Sequence, residues 1–152
     1  VFITGASAGG YTALQAVSRP GPFTGATAVS AIIDPVGWTQ TAPRFQRPHA
    51  AHLAGPAGAV QADRVGAPVL IIHGTADTIA PVEDAKALAK QLTDRGAHHA
   101  SLFLDGVGHY LSDPASLEAA LESELAFYCG LIAERDLLIP GGPPAVQHER
   151  TR

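Results

Sequence analysis

A serine stands at the apex of Gly5-Ala6-Ser7-Ala8-Gly9, directly behind the apolar run 1–4 and directly ahead of a helical pattern. Strand, sharp turn, helix: that order commits the chain to a strand that needs neighbours and a helix that packs back on it. A serine hydroxyl is a weak nucleophile in water, so chemistry at this position would require it lifted clear of its neighbours and presented to a base. Gly5 and Gly9 suit that need, because side chains there are expected to collide where strand and helix approach. The turn itself forces the serine backbone towards a strained conformation. The following helix directs its free N–H groups and positive end at the same spot, so the amide of Ala8 would face a developing oxyanion. The same five residues also suit a glycine-rich link with no chemistry. What lies further along the chain decides between the two.

Residues 1–4 read as a central strand, and residues 8–18 as a helix with Tyr11, Ala13, Leu14 and Val17 on its face, stopped by Arg19-Pro20-Gly21-Pro22. The run 26–33 predicts the next strand, ended by Asp34-Pro35. Prolines and glycines break 34–66 repeatedly, leaving room for one short helix over 45–54 in a loop bordering a site. Pro68-Val69-Leu70-Ile71-Ile72-His73-Gly74 is a strongly apolar strand with a glycine exit. Over 83–95, Ala85, Leu88, Ala89 and Leu92 share a helical face. A short strand follows at 100–104, then the turn 105–108. Asp113 and Pro114 open the last helix as N-cap and first-turn proline. Along that helix Leu117, Leu121, Leu125, Tyr128 and Ile132 form one stripe, and Cys129 falls in the same apolar pattern, where a buried, inert thiol is expected. Residues 138–152 read as a disordered tail.

Composition narrows the function classes. Ten Lys+Arg against fourteen Asp+Glu give a formal charge of −4, with no basic stripe, so nucleic acid is not expected as a partner. One cysteine excludes an internal disulfide framework. With no run of eighteen apolar residues and no leader, a soluble, cytoplasmic protein without a membrane partner is expected. The chain opens inside a strand and not on a methionine, and so reads as the C-terminal part of a longer protein.

Strands alternating with helices predict an α/β fold: a mostly parallel sheet with helices on both faces, whose ligands bind beyond the carboxyl ends of the strands. The residues just past those ends are Ser7, Asp34, Asp77 and His109. A nucleophile, a base and two candidate acids therefore gather on one rim, in the order Ser, Asp, His that doubly wound hydrolases use. His109, in Gly108-His109-Tyr110, would take the serine proton and pass it to the leaving group. For the acid, Asp77 competes with Asp34 and Asp105. Asp77 is favoured because its loop has slack to turn a carboxylate towards His109, whereas Asp105 suits a turn former. His73 reads as a structural hydrogen-bonding residue. His49 and His52 are spaced by three but lie in a proline-broken loop with no third ligand, so no metal and no cofactor is expected. Glu83, Asp84 and Asp94 read as solvated helix ends. Trp38 and Phe45 could line an apolar wall or serve in the core.

Gly5-Ala6-Ser7-Ala8-Gly9-Gly10-Tyr11, the Pro68–Gly74 run with Asp77 three residues on, and Gly108-His109 together resemble the catalytic domain of the prolyl oligopeptidase family. Within it, Glu124-Leu125-Ala126-Phe127-Tyr128 is similar to the acylaminoacyl-peptidase-like branch. The resemblance implies the C-terminal half of an α/β-hydrolase catalytic domain over residues 1–137. It implies Ser7 as nucleophile, Asp77 as acid, His109 as base and the Ala8 amide as one oxyanion donor. Family members also carry earlier strands and commonly a β-propeller, and the second oxyanion donor comes from a part this chain lacks. Losing one donor costs about 10²–10³ in rate. Tyr110 stands where the family often has glycine.

The expected activity is a serine peptidase acting on short or N-blocked peptides through an acyl-enzyme. The alternatives are a carboxylesterase or other acyl hydrolase on the same fold, taking a small acyl substrate, and a non-catalytic fragment that binds a partner. The specificity pocket and the oligomeric state are not legible in the sequence.

Overall fold

The computed structural model describes residues 1–137, so the tail predicted over 138–152 lies outside the described residues. Strand β1 (Phe2–Ala6) leads through Ser7 into helix α1 (Ala8–Val17), and β2 (Gly25–Val29) follows. Two short helices come next, α2 (Pro35–Thr41) and α3 (Arg47–Ala54), with a single 3₁₀ turn at Ala62–Arg64. Then β3 (Val69–Gly74), α4 (Val82–Asp94), β4 (His99–Leu104) and α5 (Pro114–Leu137) complete the order. The four strands form one parallel sheet in the order β1-β2-β3-β4.

Period-two alternation divides the core between the two faces of the sheet. Ala26 and Ala28 of β2 with Val69 and Ile71 of β3 meet Leu14 and Val17 of α1 and Leu88 and Leu92 of α4. Leu70 and Ile72 face the opposite way, onto Ala120 and Phe127 of α5. Ile71 and Ile72 are each 1% exposed, and burying such side chains contributes about 1.5–3 kcal/mol apiece. The sheet therefore has helices on both faces, as the alternating pattern predicts. The small, fully buried Ala26 and Ala28 of β2 belong to the cluster in which α1 packs on the sheet.

Several local expectations need correcting. Among the described residues β1 pairs only with β2. The strand predicted over 26–33 stops at Val29, because Ser30 takes φ +44° and turns the chain under the Ser7 elbow. There the Ile32 amide donates to the Ser7 carbonyl, not to a neighbouring strand. The segment 34–66 is more ordered than a loop, with α3 inside the predicted 45–54 and α2 unforeseen. Asp34 and Pro35 make the same cap-and-proline start as Asp113 and Pro114: the Asp34 carboxylate accepts from the amides of Val36 and Gly37 at 3.0 Å each. Trp38 is a core residue, packed with Ile32, Ala42, Ala50 and Ala80, whereas Phe45 is 75% exposed. His49 and His52 lie exposed on α3, not in a loop. On α5 the predicted stripe is largely open, with Leu117, Leu121, Leu125 and Ile132 exposed, and Cys129 is exposed instead of buried. The face of α5 that does pack presents Ser116, Ala120 and the half-buried Phe127 and Tyr128, and Tyr128 and the Thr27 hydroxyl share a 2.8 Å hydrogen bond. Among the described residues no helix is long and apolar enough to cross a membrane.

Candidate active site

Ser7 sits between β1 and α1 with φ 55° and ψ −119°, a left-handed conformation that costs an L-residue about 1–3 kcal/mol. Three backbone hydrogen bonds hold it there: its amide donates to Val29 O at 2.9 Å, and its carbonyl accepts from Tyr11 at 3.2 Å and Ile32 at 3.3 Å. Glycine is required on either side, although not at both expected places. A Cβ on Gly5 would overlap the Gly9 carbonyl. A Cβ at Gly9 would meet nothing within 4 Å, so the predicted collision there does not occur. The second crowded position is Gly10, whose Cβ would come within 2.6 Å of Ala31 Cβ. The doubled glycine carried that signal. Tyr11 then ties α1 to the end of α3, its hydroxyl lying 2.7 Å from Gly58 O and 3.1 Å from Ala54 O.

Asp77 lies in the loop between β3 and α4, its side chain fully buried. One carboxylate oxygen, Oδ1, accepts from the amides of Ile79 at 2.8 Å and Ala80 at 2.9 Å. The other, Oδ2, is 2.8 Å from His109 Nδ1 and 3.2 Å from His73 Nε2. Burial alone would raise the Asp77 carboxyl, but the hydrogen bonds from His109, His73 and the two amides outweigh it and hold the group well below the usual carboxylate range. An ionised carboxylate only accepts, so His109 Nδ1 donates to it. The neutral ring then offers a lone pair at Nε2, which is 3.1 Å from Ser7 Oγ. The chain of contacts Ser7–His109–Asp77 is thus closed, across 102 and 32 residues of sequence.

Two loops must hold still for this, and the structure fastens them together. The Thr75 and Ala76 amides donate to Leu104 O and Val107 O, both at 2.9 Å. The Thr75 hydroxyl donates to Asp105 Oδ1 at 3.1 Å and accepts from the Gly106 amide at 2.8 Å. At Gly74 the strand end passes so close to the second loop that a Cβ would overlap Val107 O. Thr75 was missed in the sequence, where nothing in its spacing announces a partner thirty residues away. Tyr110 packs edge-on against His109, ring centroids 5.0 Å apart.

The other candidate acids stand elsewhere. Asp34 caps α2, and Asp105 braces Thr75. Of the predicted helix-end carboxylates, Glu83 and Asp94 pair on the surface with Lys86 and Lys90. Asp84 differs: partial burial, then the nearby Asp34 and Glu83 charges, raise its carboxyl. Ala8 is the first residue of α1, so its amide has no acceptor within the helix and adjoins Ser7.

Comparison with known proteins extends the same arrangement. Among curated proteins no relative matches the sequence. A puromycin-hydrolyzing peptidase of Mycobacterium tuberculosis is 30% identical with a TM-score of 0.76, over 84% of this chain and 21% of its own. A puromycin hydrolase is 25% identical with a TM-score of 0.77, over 87% and 22%. An acylaminoacyl peptidase of Pyrococcus horikoshii shares the fold at 19% identity and a TM-score of 0.69, over 84% and 23%. The chain spans about a fifth of the length of these relatives. The sequence model of the prolyl oligopeptidase family covers residues 1–135, the whole of the sheet, its helices and the three side chains that meet at its rim. With that match over nearly all of the described residues, the chain belongs to the prolyl oligopeptidase family.

Proposed function

We propose that the chain carries the catalytic residues of a serine-type peptidase, with Ser7 as nucleophile, His109 as general base and Asp77 as the carboxylate that orients it. The observation that carries this reading is the closed contact chain, 3.1 Å from Ser7 Oγ to His109 Nε2 and 2.8 Å from His109 Nδ1 to Asp77 Oδ2. In the proposed reaction His109 removes the Ser7 proton as Oγ attacks a carbonyl carbon. The tetrahedral oxyanion forms against the Ala8 amide at the positive end of α1. Imidazolium then protonates the leaving amine, the acyl-enzyme forms, and a water deprotonated by His109 releases the acid. Asp77 holds the ring in the tautomer with its lone pair at Nε2 and stabilises the imidazolium, without itself taking the proton.

Peptides, short or N-blocked, are the proposed substrates, and the family match together with a relative named as a peptidase supports a peptide bond over an ester. A fluorophosphonate probe tests the chemistry. Labelling that is lost in Ser7→Ala and retained in Cys129→Ala supports the assignment; folded protein that never labels supports a non-catalytic module. Turnover of aminoacyl-naphthylamides against short nitrophenyl esters, measured on the full-length protein, then decides the substrate class. If only esters turn over, the peptidase reading fails.

A further inference from the structure

One buried ionisable side chain has no part in the reaction as proposed. His73, one residue before the end of β3, is on the same face as Val69 and Ile71, a position the apolar core would ordinarily fill with an aliphatic residue. Its side chain is fully buried. Nε2 lies 3.2 Å from Asp77 Oδ2 and 3.2 Å from the Ala80 carbonyl oxygen, and Nδ1 has no partner among the described residues.

These contacts fix the tautomer. Both neighbours of Nε2 are acceptors, so Nε2 must carry the proton. A proton on Nδ1 as well would leave a buried donor unpaired and add a charge to the core, whereas the neutral ring leaves only a lone pair unmatched. Asp77 Oδ2 therefore faces two imidazole N–H groups, that of His109 at 2.8 Å and, at 3.2 Å, that of His73, which also makes the hydrogen bond to the Ala80 carbonyl.

Resting on the serine-hydrolase reading above, we propose that His73 is a positioning residue. Its Nε2–H shares the carboxylate oxygen that orients His109 and thereby sets how basic His109 is. A carboxylate already solvated by several donors binds an imidazolium less strongly than one with a free lone pair. Removing the His73 donor makes Asp77 a stronger partner for charged His109 and raises the pH at which that ring loses its proton. Asp77, Ser7 and the Tyr110 ring lie against His109, Asp77 lies against His73, and Asp84, at the start of α4, is the further carboxylate coupled to His73.

The test is the rate of fluorophosphonate labelling as a function of pH, on the full chain and on His73→Leu and His73→Gln. For His73→Leu the acid limb of the profile is expected to move up by about 0.5–1 pH unit. His73→Gln, whose amide nitrogen reaches the depth of Nε2, is expected to restore the limb to its original place. A slower His73→Leu with the limb unmoved overturns the proposal, since a merely structural residue would behave so. Imidazole ¹⁵N spectra of the unmodified chain decide the matter if His73→Leu does not fold. A neutral His73 protonated at Nε2 supports the proposal, and an Nδ1–H tautomer or an imidazolium at neutral pH overturns it. Failure of the unmodified chain to label would instead overturn the serine-hydrolase reading, and the spectra would still report whether His73 donates to Asp77.

Discussion

Replacing Asp77 by asparagine changes one atom's chemistry and leaves the shape alone, so its outcome follows from the hydrogen bonds in place. Three N–H groups hydrogen-bond this carboxylate, the Ile79 and Ala80 amides on Oδ1 and His109 on Oδ2, and the His73 Nε2–H, bonded to the Ala80 carbonyl, faces Oδ2 as well at 3.2 Å. An asparagine has one acceptor oxygen and one NH₂. If the oxygen keeps the two amides, the NH₂ meets two imidazole N–H groups. If it is flipped, the NH₂ meets the two amides. Neither orientation satisfies a side chain with no exposed surface, and an unpaired buried polar group costs about 1–3 kcal/mol. With two donors opposed, Asp77→Asn is expected to lose about 2–4 kcal/mol of stability. The catalytic consequence is larger. His109 relieves the clash by moving its proton from Nδ1 to Nε2, which then points a donor at Ser7 Oγ where a base is needed. In serine proteases with this relay the equivalent change costs about 10⁴ in turnover. The assay is the second-order rate of fluorophosphonate labelling at pH 7–8 on folded protein, with thermal unfolding recorded alongside. Asp34→Asn and Asp105→Asn serve as controls and should label within a few-fold of the unmodified chain. An Asp77→Asn protein that labels within tenfold of the parent, or an Asp34→Asn that loses labelling, refutes this account of the site.

Three further outcomes are expected. Because the folded-state Asp77 carboxyl is held below its unfolded value, its contribution to stability is present in full above about pH 4 and is lost as pH falls through the folded value. Denaturant unfolding from pH 7 down to pH 2 should therefore show the stability gap between the parent and Asp77→Asn narrowing only in that acid range; a gap that closes between pH 7 and 5 contradicts the assignment. Gly5→Ala should abolish folding or labelling, since its Cβ overlaps backbone, while Gly9→Ala, with open space at that Cβ, should fold and label normally; circular dichroism and probe labelling of the two decide it. Cys129 should react with a maleimide in the native chain as fast as in the denatured one, because it is exposed on α5, and strong protection would place that helix face against something.

Much of the candidate site was legible because its determinants are local. A strand running into Gly5-Ala6-Ser7 must turn sharply, and an amphipathic helix must fold back, so Ser7 lands at a rim whatever lies beyond it. The parity of Val69, Leu70, Ile71 and Ile72 likewise requires cover on both faces of β3, which α1, α4 and α5 supply. The α2 start at Asp34 was also written locally, in the same residues as Asp113-Pro114, but the surrounding prolines and glycines masked it. The remaining features depend on distance in space, which no local pattern carries. That Gly10 and not Gly9 is crowded depends on Ala31 passing beneath α1. That Thr75 braces the loop bearing His109 depends on β3 and β4 ending side by side.

The exposure of the α5 leucines shows the limit most plainly: a stripe at helical spacing says that a helix has an apolar face, not that anything in the chain covers it. The sequence by itself determined most of the elements, their order and the rim on which Ser7, Asp77 and His109 gather, because backbone sterics and apolar period act over a few residues. Only the tertiary structure decided which carboxylate meets the imidazole, which glycine is indispensable and that His73 shares the oxygen of Asp77, because those follow from close packing between segments up to a hundred residues apart.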